Sequence, residues 1–364
     1  MTAPPAAPPP RHLRQGGDTT GLTGITLDLS LCGNPLGPAP AVDAALKTFD
    51  CTRLMRPPYG AAEEYLAAFA TDLGVDVQDL TAGSGVTGFI NFTGRLLRKQ
   101  ARRGQVAIIT PEYSGTLKAF PRADLISPPP GTHPGVKRRR DMVHQAMHTH
   151  PYVILSNPSN PEGIYIPAEE LLDLARGHRH AMLIVDEEYH RFERDADARS
   201  LAGTELRNVA VWQSTGKTYG IPGTRAGILW TRNRRMAKRA RRDALTWPLS
   251  LLDAVVCTAA LADTSWRDGS LGQIRTESYL LGELLGQLFG ASRVHGSAHF
   301  RFVELANPEP VAKHLERQGI AVRTFLDSVP GHPSGIRILT PIGTAARDRL
   351  ADAVNSCPRS ALPR

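Results

Sequence analysis

Lys217 is the residue of this sequence with the clearest capacity for covalent chemistry. It follows the small residues Ser214, Thr215 and Gly216, directly after an apolar run at 209–212. An amine in such a place is suited to forming a Schiff base with a carbonyl compound. Arg225 stands eight residues later, beyond a Pro-Gly bend, and can return to the same pocket as an anion contact. An exposed loop lysine is the alternative interpretation.

A glycine-rich turn leads into a predicted helix. The sequence from Thr81 to Gly88 (TAGSGVTG) runs directly into a helix predicted at 89–99. Such a turn presents backbone N–H groups and the positive end of the helix dipole, an arrangement that suits a phosphate group. Many strand-to-helix turns are glycine-rich for backbone reasons alone, and the turn by itself favours neither explanation.

Two further segments present polar side chains at strand ends. Asp186 ends the apolar run 182–185, and a carboxylate buried there needs a cation or a donor. A structural salt bridge is the simpler explanation, but Tyr189 lies just beyond it. Asn160 stands in the irregular turn after 152–155 and presents an amide to a ligand oxygen, or is only a turn residue.

Arginines interrupt apolar sequence near the C-terminus. Arg337 lies between Ile336 and Ile338, and Arg323 follows Val322. An arginine inside a strand favours a carboxylate partner, because the two groups form paired hydrogen bonds. Both arginines are therefore candidates for binding a carboxylate.

The elements that position these residues alternate between strands and helices. Short apolar strands are predicted at 106–110, 152–155, 182–185, 209–212 and 227–230, with helices at 63–73, 89–99 and 168–176. This alternation predicts an α/β fold, with a mostly parallel sheet covered by helices on both faces. Ligands of such sheets bind at the carboxyl ends of the strands, where the polar residues cluster.

The pattern changes after residue 235. A long helical region extends to 288. Strands at 299–305, 320–323 and 335–339 follow, with a helix at 310–318 and a last helix from 344. This order predicts a second, smaller α+β domain at the C-terminus.

Composition excludes several classes of protein. The 364 residues are 41% hydrophobic and 21% charged. The chain has no apolar stretch long enough for a membrane helix, and its N-terminus lacks the apolar core of a secretory signal. The four cysteines lie far apart, without a CxxC pair or a disulfide-dense pattern. We therefore expect a cytoplasmic protein that binds no membrane and no metal.

The basic excess behind the net charge of +8 is concentrated in two runs, 137–140 and 232–242. Neither run is interleaved with aromatic residues or belongs to a recognisable nucleic-acid-binding motif. The second run has apolar residues at helical spacing between its charges. We expect solvated surface here, not a site for nucleic acid.

The order of these segments resembles that of the fold-type-I enzymes that depend on pyridoxal 5′-phosphate (PLP), and within them the class I/II aminotransferase family. The segments LDLSLCGNPLGPAP (27–40) and GIRILTPIGT (335–344) are similar to the branch that contains histidinol-phosphate aminotransferase and L-threonine-O-3-phosphate decarboxylase. The resemblance extends from about residue 15 to the end. It implies the PLP-dependent transferase fold, PLP as cofactor and a homodimer.

With this resemblance the chain divides into four parts. Residues 1–17 form a disordered, proline-rich tail, because they cannot bury enough apolar surface to offset the entropy of ordering. Residues 18–45 form an N-terminal arm with a substrate segment. Residues 46–235 form the large PLP-binding domain, and residues 236–364 form the small C-terminal domain.

The resemblance also implies a role for each candidate residue. Lys217 forms the Schiff base and moves the substrate proton, and Asp186 holds the pyridine nitrogen of PLP. Asn160 and Tyr189 bind the phenolic oxygen. The remaining implied roles are ring stacking by Tyr113, phosphate binding by Val86, Thr87, Ser214 and Arg225, substrate binding by Asn34, Arg323 and Arg337, and contact of Tyr59 with the cofactor phosphate of the partner subunit.

Four positions depart from the family pattern. Gln15 stands where the decarboxylase branch has a histidine, and Gly88 stands where an acidic residue is usual. Glu162 replaces the threonine of Asn-Pro-Thr-Gly, and Glu188 replaces the alanine of Asp-Glu-Ala-Tyr. All four are candidates for the substrate pocket, and they argue against either of the two housekeeping substrates.

We therefore expect an aminotransferase that moves an amino group between an amino acid (or a similar amine) and a 2-oxo acid, in specialised amino-acid or natural-product metabolism. The alternative within PLP chemistry is a decarboxylase, another lyase or a cyclase. A regulatory protein that uses the fold as a ligand sensor is disfavoured. The residues before 18 are too few and too proline-rich for a DNA-binding domain.

Overall fold

The structure of the chain is a computed structural model. It describes residues 19, 22–100, 104–129, 135–193, 199–244, 246–296, 298–327 and 331–358. The predicted tail at 1–17, with Gln15, lies outside these residues. Within them, no helix combines the length and the apolar composition that crossing a bilayer requires.

Helices and strands alternate through the first two thirds of the chain, as predicted. The helices are α1 (Pro40–Lys47), α2 (Ala61–Leu73), α3 (Gly85–Gln100), α4 (Ser114–Ala119), α5 (Gly135–Thr149), α6 (Ala168–Gly177), α7 (Arg234–Asp243), α8 (Leu251–Ala262), α9 (Thr264–Phe289), α10 (Glu309–Arg317) and α11 (Thr344–Asn355). The strands are β1 (Leu27–Asp28), β2 (Leu80–Gly83), β3 (Val106–Ile109), β4 (Asp124–Ile126), β5 (Tyr152–Ser156), β6 (Met182–Asp186), β7 (Val209–Ser214), β8 (Gly227–Thr231), β9 (Val294–His295), β10 (Phe300–Glu304), β11 (Ile320–Ala321), β12 (Arg323–Phe325) and β13 (Gly335–Leu339).

Seven strands form the central sheet in the order β2-β8-β7-β6-β5-β3-β4. The neighbours from β4 to β7 pair in parallel, whereas β8 pairs antiparallel with both β7 and β2. Helices such as α5 and α6 connect the parallel strands, because a parallel pair needs a crossover connection. The predicted mostly parallel sheet is confirmed, and β2 and β4 join it in addition to the predicted strands.

The central strands are buried on both faces. On β5, Val153 and Leu155 pack in one hydrophobic cluster, and Ile154 packs in the other. Successive strand residues point to opposite faces, so a strand covered on both sides has a continuous apolar sequence. Phe69 of α2 belongs to the first cluster and Phe89 of α3 to the second. Helices therefore cover both faces of the sheet, as predicted.

The C-terminal part of the chain contains a four-stranded antiparallel sheet in the order β12-β13-β10-β9. Leu281 of α9, Leu315 of α10 and Leu350 of α11 pack with Ile336 and Ile338 of β13 in one core. This is the smaller α+β unit that the sequence predicts. The N-terminal strand β1 pairs in parallel with β11, which ties the beginning of the described chain to this unit.

Two predicted elements differ in detail from the structure. The strand predicted at 320–323 is divided between β11 and β12, which belong to different sheets. The long helical region is three helices. Asn233, Ser250 and Asp263 each accept a hydrogen bond from the backbone N–H three residues later, which starts a new helix at each position.

The basic run at 232–242 lies on the solvated surface, as predicted. It forms most of α7, which buries Met236, Ala237 and Ala240. The arginines and Lys238 between these residues are largely exposed. The pattern is that of an amphipathic surface helix.

Arg139, by contrast, corrects the prediction of solvated surface for the run 137–140. Its side chain is fully buried. The guanidinium donates to the carbonyl oxygens of Thr110 (3.3 Å), Pro111 (3.4 Å) and Ser156 (3.1 Å). The carboxylate of Glu112 supplies the opposing charge. Arg139 therefore links the segment after β3 to the end of β5.

Helical geometry explains why one arginine of the run is buried. Arg139, Met142, Val143 and Ala146 recur at the spacing of one helix face, and all four are buried on α5. Lys137 lies on the exposed side of the same helix. The prediction was wrong for Arg139 because it weighed the local charge run and not the apolar face that follows it.

Replacement of Arg139 by alanine is expected to destabilise the fold strongly. The change removes three hydrogen bonds and leaves the buried Glu112 without its counter-charge, at a cost of about 3–5 kcal/mol in the free energy of unfolding. Urea denaturation followed by circular dichroism measures this loss. The matched control is Lys137→Ala on the same helix, which should change stability by less than about 0.5 kcal/mol. Equal stability of the two variants would contradict the assignment.

Candidate active site

A cavity of about 280 Å³ lies at the carboxyl ends of β5, β6 and β7 and brings most of the predicted site residues together. The predicted residues that line it are Val86, Thr87, Tyr113, Asn160, Asp186, Tyr189, Ser214, Lys217, Arg225, Arg323 and Arg337. Among the described residues, no group of histidine, cysteine, aspartate or glutamate side chains is arranged to hold a metal ion.

Strand register places polar residues side by side at this edge of the sheet. Ser156, the last residue of β5, pairs with Asp186, the last residue of β6, and Asp186 pairs with Trp212 of β7. Ser214 ends β7, and Lys217 follows it in the loop. Because parallel strands end at the same edge, residues far apart in sequence meet there.

Arg225 and the beginning of α3 form the cationic wall of the cavity. Gly85, the first residue of α3, has φ = 67°, a conformation that favours glycine. A Cβ atom at this position would lie 3.2 Å from Nη2 of Arg225, so the guanidinium packs directly against the start of the helix. The hydroxyl of Ser214 faces the same cavity. Guanidinium and helix dipole together favour an anion at this wall.

Asp186 is a buried carboxyl group, 7% exposed. Its Oδ1 accepts a hydrogen bond from the backbone N–H of Glu188, 3.0 Å away. Burial raises the pKa of Asp186 well above its ordinary value, and the negative charges of Glu188 and Glu112 raise it further. A cationic group of a ligand would relieve both effects.

Lys217 lies between acidic and basic neighbours. The negative charge of the Cys32 thiolate has the largest effect on the pKa of Lys217 and raises it. Burial lowers this pKa, and the Glu188 carboxylate raises it. The net direction is upward, so the amine holds its proton in the absence of a ligand.

A chain of hydrogen bonds connects Arg337 to the phenol of Tyr189. Arg337 Nη1 donates to Asn160 Oδ1 (2.8 Å), and Asn160 Nδ2 donates to the Tyr189 hydroxyl (3.5 Å). Arg337 Nη2 donates to the carbonyl oxygen of Ser30 (3.3 Å), and its Cζ lies 5.2 Å from the centroid of the Phe300 ring. Arg337 Nε is buried without a hydrogen-bond partner among the described residues, which leaves a donor for a ligand.

Glu112 is a site residue that the sequence analysis did not identify. Its carboxylate accepts hydrogen bonds from the backbone N–H groups of Tyr113 (2.7 Å) and Ser156 (2.5 Å) and from the Ser156 hydroxyl. Burial raises the pKa of Glu112, while these hydrogen bonds and the charge of Arg139 oppose the rise. Glu112 thereby fixes Tyr113 at the margin of the cavity. Its position just before Tyr113 was the available sequence signal.

Cys32 is the second site residue that the sequence analysis missed. Its Sγ lies 3.0 Å from the Tyr189 hydroxyl and lines the cavity. Burial raises the pKa of this thiol, but the charges of Arg337 and Lys217 and the hydrogen bond with Tyr189 outweigh burial and lower it to about 7. The arm at 18–45 was predicted to contain a substrate segment, but its sequence does not show which side chains face inward.

Asn34 and Tyr59 do not line the cavity. Asn34 Nδ2 donates to the Thr218 carbonyl oxygen (2.9 Å) and to Ser270 Oγ (3.0 Å), so its amide holds the N-terminal segment against the loop that bears Lys217. Tyr59 is 72% exposed, and its ring centroid lies 6.2 Å from that of Trp247. The structure places Tyr59 on the surface of the single chain.

The residues that depart from the family pattern lie in three different places. Glu188 lines the cavity. Glu162 is 3% exposed and lines a neighbouring cavity with His295 and Glu304, and burial raises its pKa to about 7. Gly88 lies within the first turn of α3. Of these three residues, Glu188 is the one in contact with the cavity that holds Lys217.

Comparison with known proteins identifies the family. The model of aminotransferase class I and II matches residues 40–354, most of the chain, and the chain belongs to this family. Similar relatives are the histidinol-phosphate aminotransferases of Haloferax volcanii (27% identical over 335 residues) and Oleidesulfovibrio alaskensis (29% over 309 residues). These alignments cover 90% and 80% of this chain and 88% and 77% of the relatives.

Solved structures share the fold. L-threonine-O-3-phosphate decarboxylase from Porphyromonas gingivalis has a TM-score of 0.77 at 17% identity, covering 91% of this chain and 98% of its own. Histidinol-phosphate aminotransferase from Sinorhizobium meliloti, solved with PLP, has a TM-score of 0.75 at 20% identity and covers 92% of both chains. The predicted fold class and family resemblance are confirmed, and the protein is a PLP-dependent aminotransferase.

The donor set of the cavity suits PLP. The buried carboxyl of Asp186 suits a protonated ring nitrogen, because among the described residues it meets a backbone N–H and other carboxyl groups and forms no ion pair. The wall of Arg225 and Gly85 suits the phosphate. Lys217 supplies an amine in the same cavity as Asp186 and Arg225.

Cys32 is expected to react with iodoacetamide with a half-maximal rate near pH 7 in the cofactor-free protein. The thiolate is the nucleophile, so the rate rises with pH through the pKa of the thiol, which is about 7. Bound PLP should slow this reaction because Cys32 lines the cavity. Mass spectrometry of labelled peptides measures both effects.

Cys51 provides the internal control for this experiment. It is exposed, and its labelling should not change when PLP is added. Labelling of Cys32 that is half-maximal near pH 8.5, the ordinary value for a thiol, would contradict the electrostatic assignment. Labelling that PLP does not slow would contradict the position of Cys32 in the cavity.

Proposed function

We propose that this enzyme transfers an amino group between a specialised amino acid, or a similar amine, and a 2-oxo acid. The observation that supports this most is the meeting of Lys217, Asp186, Arg225 and Arg337 in one cavity. Amino-group transfer on PLP needs four groups together: an amine, an acid for the ring nitrogen, a site for the phosphate and a site for the substrate carboxylate.

PLP, when bound, supplies the electron sink that makes the bonds at the substrate Cα labile. In this proposal Asp186 holds the ring nitrogen in its protonated form, and Asn160 and Tyr189 bind the phenolic oxygen. Val86, Thr87, Ser214 and Arg225 hold the phosphate. Tyr113, held by Glu112, packs against the ring face.

Arg337 is the proposed binding group for the substrate carboxylate. It is 6% exposed, and the Asn160 and Ser30 oxygens fix its guanidinium. Arg323 lies beside it on the neighbouring strand and lines the same cavity. Burial and the charge of Arg337 lower the pKa of Arg323, so an anionic substrate would relieve the repulsion between the two arginines.

Lys217 is the proposed Schiff-base residue and the group that moves the proton at Cα. Its amine must lose a proton to do so. Cys32 interacts with this amine, and the Cys32 Sγ lies 3.0 Å from the Tyr189 hydroxyl. The enzyme's task is to orient the substrate so that Lys217 faces the bond that breaks.

We also propose a cytoplasmic homodimer in which Tyr59 reaches the cofactor phosphate of the partner subunit. The exposed apolar residues around it support a contact surface. Met55 is 85% exposed and Leu54 is 52% exposed, and Trp247 lies against the Tyr59 ring. The proposed domain limits remain 18–45 for the arm, 46–235 for the large domain and 236–364 for the small domain.

The substrate class is tested by single turnover of the PLP-loaded enzyme with a panel of amino acids and amines. Amino-group transfer converts the bound cofactor to its amine form and releases one 2-oxo acid, which absorbance and mass spectrometry follow. Histidinol phosphate and O-phosphothreonine should react poorly, because the cavity departs from the family pattern at Glu188. Reaction of either at the rate of the best substrate would contradict the specialised assignment.

The same experiment separates amino-group transfer from its alternative. Release of carbon dioxide with return of the aldehyde form of the cofactor would make the enzyme a decarboxylase. Lys217→Ala is the control, and it should abolish both outcomes.

Asp186→Asn should lower turnover by about 30-fold or more, because removing one partner of a buried charge pair costs about 2–5 kcal/mol. Asparagine keeps the size of the side chain but not its charge. The matched control is Glu187→Gln. Glu187 is buried one residue later but bonds Ser200, Leu201 and Gln213, away from the cavity. Turnover per bound PLP should fall in Asp186→Asn and not in Glu187→Gln.

A further inference from the structure

Glu188 is a carboxyl group inside the cationic wall that the proposed function assigns to the cofactor phosphate. It lines the cavity together with Ser214, Lys217 and Arg225. No step of the proposed reaction uses Glu188. The usual family residue at this position is alanine, which has no charge.

The backbone places Glu188 beside Asp186 in the lining of the cavity. Glu188 stands two residues after Asp186, and its N–H donates to Asp186 Oδ1 at 3.0 Å. Its neighbour Tyr189 is 6% exposed and bonds Cys32 and Asn160. Glu188 therefore belongs to the same buried segment that holds the two ring-binding residues.

The positive groups around Glu188 are those that the phosphate requires. Ser214, Lys217 and Arg225 line the same cavity as Glu188, and each of them lowers the pKa of the Glu188 carboxyl. Arg225 in turn packs against the start of α3 at Gly85. Glu188 is thus a carboxyl group that faces the positive groups of this wall.

The other groups that face Glu188 are acidic. Asp186 at the end of β6 and the phenol of Tyr65 on α2 both interact electrostatically with it. Its Oε1 is buried without a hydrogen-bond partner among the described residues. Burial raises the pKa of Glu188, and Ser214, Lys217 and Arg225 oppose that rise. Burial therefore favours the protonated form of Glu188, whereas these three groups favour the ionised form.

We propose that Glu188 couples cofactor binding to the uptake of one proton: when the phosphate of the cofactor occupies the wall of Arg225 and Ser214, the Glu188 carboxylate takes a proton from solvent. No bond of the cofactor changes in this step. The inference rests on the proposed assignment of Arg225 and Ser214 to the phosphate.

The physical reason is competition between two anions for one set of cations. A phosphate dianion and a carboxylate at the same wall repel each other, and a like charge disfavours the ionised form of the weaker acid. Once protonated, Glu188 can donate a hydrogen bond to a phosphate oxygen or to Ser214. Alanine at this position would impose no such proton uptake.

The test measures binding of pyridoxamine 5′-phosphate to the cofactor-free protein by isothermal titration calorimetry above about pH 7, where the phosphate is a dianion. This ligand has no aldehyde, so the chemistry of Lys217 does not enter. Relative to Glu188→Gln, the dissociation constant of the wild-type protein should rise by up to about tenfold for each pH unit. Glu64→Gln, an exposed acid on α2, should follow the wild type.

Pyridoxamine without the phosphate is the second ligand. It should bind the wild type and Glu188→Gln with the same pH dependence. If Glu188→Gln does not fold, titration of the wild type in buffers of different ionisation enthalpy should count about one more proton taken up with the phosphorylated ligand than with pyridoxamine.

Equal pH slopes for the wild type and Glu188→Gln would overturn the inference, as would an equal proton count for the two ligands. A slope difference that persists with pyridoxamine would overturn it too, since Glu188 would then act on the ring and not on the phosphate. Failure of both ligands to bind any of the proteins would overturn the cofactor-site assignment itself, and this inference with it.

Discussion

The carboxyl group of Asp186 is the constraint on which the site depends. It ends a strand that is buried on both faces, in register with Ser156 of β5 and Trp212 of β7, and burial disfavours its charged form. Its pKa is raised by burial and by two neighbouring carboxyl groups. In the proposed function, a protonated pyridine ring would supply the missing positive charge, and the carboxylate would in turn keep that ring electron-withdrawing.

The rest of the cavity arranges charge around this pair. Arg225 and the start of α3 form a wall that suits an anion, and Arg337 presents a second guanidinium to the same cavity. Beneath them, the buried Arg139 and Glu112 hold the ends of β3 and β5 together and fix Tyr113. These hydrogen bonds therefore fix the positions of residues that are proposed to contact the cofactor.

The central sheet and the edge that carries the site were predictable from sequence. Short apolar runs indicate the buried strands, and the polar residues that follow them indicate the edge where the site lies. Side chains outside regular elements were less predictable. Asn34 and Cys32 lie two residues apart in an irregular segment that follows β1, and β1 itself pairs with β11, almost three hundred residues away in sequence. Sequence spacing could not show that Cys32 faces the cavity while Asn34 bonds Ser270. Arg139 was predictable in principle, since Met142, Val143 and Ala146 mark its helix face.

The central claim is that Lys217 forms the covalent attachment to PLP in the cavity that contains Asp186. Borohydride reduction of the PLP-loaded enzyme, followed by proteolysis and mass spectrometry of the peptides, tests it most directly. The account predicts a single phosphopyridoxyl group on the peptide that contains Lys217, and none in the Lys217→Ala protein. A reduced adduct on another lysine, or the absence of any adduct from a protein that binds PLP, would contradict it.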